Sequence, residues 1–461
     1  MAGPNVVPLV DEGLGNSTYL VDVGDGRAMV VDASLDLRAV RAAATQRGLR
    51  VAFAADTHLH ADFLSGAREL AATDGATILA SAAGRRQFPH SGLADGDEVD
   101  LGGLRLRALT TPGHTDEHVA FVLLDGDHPL GVFTGGSLLV GSVARTDLVD
   151  PDRTEELARA QYRSLQRFLT FDDEVAVWPT HGAGSFCSAP PGADRTSSIG
   201  RERTTNALLR AGDEDAFVAA LLGSLGSFPP YFLRLAEVNR RGPDLLRTPP
   251  GLPPLTATQV RALLADGTDL IDVRPVLEFA TGHVPGALSI PLRPVFATWL
   301  GWVAPHDRPL VVVRSADQDP DEISWQAAKV GYGNLVGELA GGLEAWVKAG
   351  QPTTAATLTT PAAVQAPGDR PGDAATVLDV RQSSEFTAGH LPGALHVELG
   401  ELTAHLDQVK AGPVVVTCGH GERAMTAASL LARAGRSDVT VMTGGADDWA
   451  AHHGRSLVRG A

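Results

Sequence analysis

In the second half of the chain, short β-branched runs alternate with segments of helical spacing. Val311-Val312-Val313 precedes a helix-like stretch over Asp321 to Val330, and Val414-Val415-Val416 precedes another over Glu422 to Ala434. A third such stretch covers Ala257 to Ala265. Apolar strands of this length, alternating with helices, predict α/β units with parallel sheets. The pattern is duplicated. Residues Ile271 to Leu292 align without a gap to Leu378 to Leu399, with 12 of 22 positions identical, and Gly341 to Trp346 echoes Gly444 to Trp449. A period of about one hundred residues means two homologous domains, because solenoid units are far shorter. The Pro-rich stretch Thr248 to Pro254 and the Ala/Thr/Pro/Gly-rich stretch Thr353 to Asp373 read as linkers. The domains expected are therefore 1–247, 255–352 and 374–461.

In the first of these, the apolar run Val51 to Ala55 reads as a buried strand that ends in Thr57-His58-Leu59-His60-Ala61-Asp62. Two histidines one residue apart on such a turn can face one ion, and the aspartate can reach a neighbouring position. Two later turns, Thr111-Pro112-Gly113-His114-Thr115 and Pro179-Thr180-His181-Gly182, each add a histidine. Together they point to a metal site or its remnant. His118 and His128 read as surface residues, and His452-His453 as a solvated helix end.

Composition narrows the class. A chain of 461 residues exceeds one ordinary core. An apolar share of 44% with 20% charged residues describes a globular protein. The net charge of −17 argues against a nucleic-acid partner, and no apolar run approaches the roughly 20 residues that span a bilayer. Met1 to Asn5 has neither a basic region nor an apolar core for export, and the only two cysteines, Cys187 and Cys418, rule out a disulfide scaffold. A reducing cytoplasm fits both.

The histidine turns resemble the metallo-β-lactamase superfamily over roughly residues 8 to 245, with two departures. Phe63 stands where the last histidine of the first motif is expected, and Gly136, in Phe133-Thr134-Gly135-Gly136, where an aspartate is. A two-zinc hydrolase centre is not expected. Both repeats resemble the rhodanese family through Asp-Val-Arg, Glu-Phe and Gly-His-x-Pro-Gly-Ala, at Asp272 to Ala287 and Asp379 to Ala394. These residues read as structural braces, His283 and His390 included. Chemistry belongs to the loop after the central strand. In the second copy it is Cys418-Gly419-His420-Gly421-Glu422-Arg423, a cysteine on a glycine-rich turn at a helix N-terminus. Backbone N–H groups there favour a thiolate and would cradle a persulfide, and Arg423 adds a cation for an anionic donor. The first copy reads Ser315-Ala316-Asp317-Gln318-Asp319-Pro320, without sulfur and with acid in place of base, so it is expected to be silent and to dock or space its neighbours.

This domain order resembles persulfide dioxygenase–sulfurtransferase fusions: an αββα sandwich followed by two rhodanese-like α/β domains with parallel sheets. Ala144 to Leu148, His181 to Cys187, and Ser198 to Gly200 with Arg203 and Asn206 resemble further elements of that family. The resemblance implies mononuclear iron(II) held by His58, His114 and an aspartate that is Gly136 here. His60 as a third ligand, for iron or zinc, remains open, as do a gap filled by water or substrate sulfur and a site without metal. The implied reaction oxidises a glutathione-type or other small persulfide to sulfite, with Cys418 moving sulfane sulfur to or from thiosulfate or sulfite. Cys187 is either a sulfur relay or a half-buried structural cysteine. A sulfurtransferase with a degenerate first domain and a glyoxalase II-type thiolester hydrolase are the alternatives. Relatives self-associate, but no stretch supplies an interface that can be named.

Overall fold

The structure is a computed structural model that describes residues 5–187, 192, 194–366 and 375–460. Two compact units make up the chain: Met1–Pro249 with Gln326–Gly331, and Pro250–Trp325 with Tyr332–Ala461.

In the first unit two six-stranded sheets face each other. One holds Val6–Asp11, Asn16–Gly24, Arg27–Val31, Arg50–Asp56, Thr77–Ser81 and Ser91–Leu93 in chain order. The other runs Ser197–Ser198, Ala176–Pro179, His128–Gly135, Val119–Asp125, Leu104–Thr110 and Glu98–Asp100. Side chains alternate across each strand. One face therefore fills the space between the sheets, with Tyr19, Val21, Met29, Leu106, Phe121 and Phe133 fully buried there. The opposite faces are covered by helices. Arg38–Gln46 and Ala67–Asp74 pack through Val40, Ala43 and Leu70, and Thr154–Phe168 and Glu214–Gly223 through Leu165, Phe168 and Phe217. The expected αββα sandwich is what forms. The strands that carry the histidine turns end at the same edge, which is how the fold gathers residues far apart in sequence.

The second unit holds two five-stranded parallel sheets of matching order. The first is Pro254–Leu255, Leu335–Leu339, Leu310–Val313, Asp269–Asp272 and Leu288–Ser289. The second is Thr357–Thr359, Val439–Met442, Val414–Thr417, Thr376–Asp379 and Leu395–His396. Arg274 grips Asp272 through Nε and Nη2 and reaches the Gly282 carbonyl; Arg381 repeats this with Asp379 and Gly389. His283 and His390 bond the carbonyls of Phe279 and Phe386 and stack on those rings, as braces do.

One boundary differs from the sequence reading. The stretch 353–373 is not all linker, and the last domain starts before 374. Thr357–Thr359 is the edge strand of the second sheet, Trp449 Nε1 donates to the Val364 carbonyl, and Val364 and Ala366 are buried. Its Pro and Ala content masks an edge strand, where proline is tolerated nearby because one row of N–H groups faces outward. The rest of the expected linker, 367–373, and residues 1–4 of the expected non-export terminus lie outside the described residues.

Candidate metal centre and cysteine pocket

Four histidines meet at the edge of the sandwich. His58 and His60 follow the strand Arg50–Asp56, His114 follows Leu104–Thr110, and His181 follows Ala176–Pro179. All are at most 1% exposed. The Nε2 atoms of His58 and His181 are 3.4 Å apart, and the His114 ring lies 4.9 Å from that of His58 and 5.3 Å from that of His181, centroid to centroid. The outer nitrogen of each ring is already held. Nδ1 of His58 meets Thr57 Oγ1 at 2.9 Å, Nδ1 of His114 the Arg145 carbonyl at 2.7 Å, and Nδ1 of His181 Asn16 Oδ1 at 3.0 Å. That leaves the Nε2 atoms turned toward one another.

His60 is differently placed. Its Nε2 is 3.1 Å from Asp32 Oδ1 and its ring stacks on Phe63 at 4.2 Å, so the residue expected to be a ligand is anchored by a carboxylate through one nitrogen. Its Nδ1 and Asp62 Oδ1 are buried without a hydrogen-bond partner. Orphaned buried polar atoms are costly unless something pairs with them, and imidazoles with carboxylate or thiolate are a common donor set for a divalent ion. Two donor triplets, each with its atoms within 4.8 Å of one another, overlap at His181: His58-His60-His181 and His114-His181-Cys187. The residues present fit a metal.

The local field treats the histidines differently. Burial and then the neighbouring imidazoles push His58 well below its usual value, and burial with the His181 charge lowers His114 to about 3, so both keep a free lone pair. Burial alone would also lower His181, but the Cys187 sulfur and the Asp62 carboxylate outweigh it and raise its pKa well above the ordinary range. Asp62, which burial would raise, falls to about 2 through the His181 charge and hydrogen bond.

Two readings of single residues change. His118 is buried, not at the surface: Nδ1 meets Thr111 Oγ1 at 2.8 Å and Nε2 accepts the Gly136 N–H at 3.0 Å. Cys187 is fully buried rather than half-buried. His128 is exposed, as are His452 and part of His453 at the end of the helix Ala446–His453.

Gly136 is more than a missing carboxylate. A Cβ there would fall on Cδ2 of His114 and lie 2.8 Å from its Cγ. The ring fills the space that a side chain would take. Gly136→Asp is thus expected to lower stability by about 1–3 kcal/mol, as overpacking does, and to reduce metal content instead of restoring a ligand. Thermal unfolding and metal analysis of the variant check this; a gain in bound metal would refute it.

Sequence reading missed Asp32, although an aspartate directly after the apolar end of Arg27–Val31 was the available signal. It also missed Asn16 and Gln161, whose Oε1 accepts the His114 N–H at 2.8 Å; no local pattern marks either.

In the second unit Cys418 Sγ accepts the Gly421 N–H at 3.1 Å, one residue before the helix Glu422–Arg433. Gly421 has φ of 114°, a conformation that favours glycine. Both terminal nitrogens of Arg423 pair with Glu385, at 2.6 and 2.7 Å, and its guanidinium lies 5.9 Å from the Trp299 ring. His420 and Glu422 line a cavity of about 480 Å³ together with Pro275, Leu292 and Arg293 of the first repeat. Gly419 lies just behind, its carbonyl 2.5 Å from where a Cβ on Gly445 would sit. Arg293 is half-buried, in the field of Glu422, Arg423 and Cys418, and its guanidinium forms no hydrogen bond or ion pair with a described residue. In the first repeat, Glu278, at the position of Glu385, accepts instead from Ser315 Oγ, and Arg314 pairs with Glu338.

Comparison with known proteins agrees with this architecture. The metallo-beta-lactamase superfamily profile matches residues 11–181, and the rhodanese-like domain profile matches 256–349 and 360–452. The chain combines a metallo-beta-lactamase domain with two rhodanese-like domains on its C-terminal side. Among its relatives, a Methylococcus capsulatus hydroxyacylglutathione hydrolase is 32% identical over 178 residues, 38% of this chain and 64% of that protein. The human mitochondrial persulfide dioxygenase ETHE1 is 29% identical over 224 residues, 48% of this chain and 80% of that protein. A solved Staphylococcus aureus metallo-beta-lactamase structure superposes with a TM-score of 0.66 at 27% identity, covering 73% of this chain and 99% of that one. The homology supports an enzyme of sulfur metabolism.

Proposed function

We propose that the chain oxidises small-molecule persulfides at the metal centre of its first unit and transfers sulfane sulfur through Cys418 in its last domain. The observation that carries the reading is the Cys418 loop, with a buried sulfur at a helix head and an amide N–H on it, its neighbours His420 and Glu422 sharing a cavity with Arg293. In transfer, the Cys418 thiolate attacks the outer sulfur of thiosulfate. The S–S bond breaks, sulfite leaves with the electron pair, and Cys418 holds a persulfide that an acceptor thiolate later takes. The Gly421 N–H stabilises charge on the sulfur, and Gly419 and Gly421 keep the loop open enough for a second sulfur atom. The second domain, 255–352, carries no nucleophile at Ser315 and serves to wall this pocket.

Arg293, not Arg423, is the cation for the donor anion, because Glu385 already neutralises Arg423. Arg293→Gln should raise KM for thiosulfate roughly tenfold with kcat nearly unchanged, as loss of one charge-assisted contact implies. Steady-state kinetics check this, and an unchanged KM would remove Arg293 from the donor site.

In the first unit the overall balance is one persulfide, one dioxygen and one water giving one thiol and sulfite with two protons. His58, His114 and His181, with His60 beside them, are the imidazoles that would hold the metal, and iron(II) bound there would supply the electrons that activate dioxygen. A cleft of about 620 Å³ opens on the same turns, lined by Leu59, Ala61, Thr115, Leu148 and Phe232 with Arg85 and Arg240 as well as Asp116, Glu117 and Glu237, a size that suits a thiol tripeptide such as glutathione. Both sulfurs must be thiols for this chemistry, and both cysteines are unpaired, which suits a reducing cytoplasm.

Anaerobically purified protein given glutathione persulfide and oxygen should release sulfite. Hydrolysis of lactoylglutathione instead would favour the thiolester reading, and thiosulfate turnover with neither would leave a sulfurtransferase alone.

A further inference from the structure

We propose that Cys187 is the anionic ligand of the first unit's metal, joined to His114 and His181 in a nitrogen–nitrogen–sulfur donor set that takes the place of the carboxylate absent at position 136. The inference rests on the reading of this unit as a metal protein and specifies its donors.

The donor atoms of His114, His181 and Cys187 lie within 4.8 Å of one another, and all three residues are buried. Ligands around a tetrahedral divalent ion sit about 3.4–3.7 Å apart, given metal–nitrogen and metal–sulfur bonds of about 2.1 and 2.3 Å. Closing the set needs side-chain movement of about an ångström and no change of fold.

One residue holds two of the ligands. The Arg145 carbonyl accepts from Nδ1 of His114 at 2.7 Å, its amide donates to the Cys187 carbonyl at 3.4 Å, and its guanidinium donates to the Phe186 carbonyl at 3.1 Å. That guanidinium is itself clamped by both oxygens of Asp147. His181 is oriented by Asn16 and by Asp62, the latter at 3.3 Å. Outer partners of this kind are what set ligand direction in metal sites. A second observation is independent of the cysteine: Nδ1 of His60 and Oδ1 of Asp62, both buried in the same cluster, lack partners.

Charge is conserved by the exchange. A thiolate brings the single negative charge that the carboxylate would have brought, and position 136 cannot host one while the His114 ring lies over it. Sulfur also shifts preference toward softer divalent ions such as zinc, cobalt(II) or iron(II) and away from magnesium or calcium.

The test is cobalt(II) titration of the full chain, read by absorbance and by metal analysis. The wild type should bind cobalt and show a near-ultraviolet thiolate-to-cobalt charge-transfer band. Cys187→Ser should lose the band and weaken binding by about tenfold or more, Cys187→Asp should regain binding without the band, and Cys418→Ser should keep both. Cobalt bound without the band, or a band that survives in Cys187→Ser, overturns the sulfur ligand and leaves the metal site standing. No cobalt bound by any form overturns both.

Discussion

Cys418→Ser should abolish thiosulfate turnover, by roughly a thousandfold or more, and leave the purified chain without cyanide-removable sulfur, because removal of a covalent nucleophile costs most of the rate. A serine hydroxyl fits the loop but cannot carry a sulfane sulfur, and the Gly421 N–H that Sγ now accepts would find only a weaker nucleophile. Folding should be unaffected, since the brace of Arg381 on Asp379 and Gly389 does not involve the sulfur. Oxygen uptake with a persulfide should persist, because the histidines lie in the other unit. Coupled assays of both activities on one preparation decide the matter. Loss of both together would sink the division of labour between Cys418 and the metal centre.

The largest effect on stability is expected from Asp32→Ala, about 3–5 kcal/mol, the cost of breaking a buried charged network from one side. Asp32 is fully buried and sits where the strand Arg27–Val31 ends, at φ of 53°. Its oxygens accept the Thr57 N–H at 2.7 Å and Thr57 Oγ1 at 2.8 Å, accept the Thr180 hydroxyl, and meet His60 Nε2 at 3.1 Å. Two turns from distant parts of the chain are tied to one carboxylate. Burial would raise its pKa, but the His60 charge and these bonds outweigh it and hold the pKa below the usual value, so the group stays ionised inside. Alanine would orphan every donor and release the turns that carry His58, His60 and His181. Urea unfolding should show a lowered midpoint, and metal content should fall with it. A shift below about 1 kcal/mol, the worth of one ordinary hydrogen bond, would mean that the turns hold themselves.

Much of the fold was legible because its signals are local. The helix expected over Ala257 to Ala265 forms at that place, behind a capping box of Thr256 and Gln259. The glycine-rich cysteine turn likewise falls between a buried strand and a helix start, as its residue types require. The misses share another cause. Nothing near His118, which precedes the strand Val119–Asp125, marks that it meets Gly136. Glu385 lies 38 positions from the arginine it claims, and Thr357–Thr359 becomes a strand only through pairing with Val439–Met442.

Residue order alone therefore determined the three-domain plan, the duplicated parallel sheets, the histidine turns and the glycine-rich cysteine turn, since periodicity and turn chemistry act over a few residues. Tertiary structure decided which donors share a space, that His114 covers Gly136, that Cys187 stands beside His181, and that Arg423 pairs with Glu385 while Arg293 lines the neighbouring cavity. Ligation and ion pairing depend on distance through space, and for these groups that distance exists only once the sheets have closed.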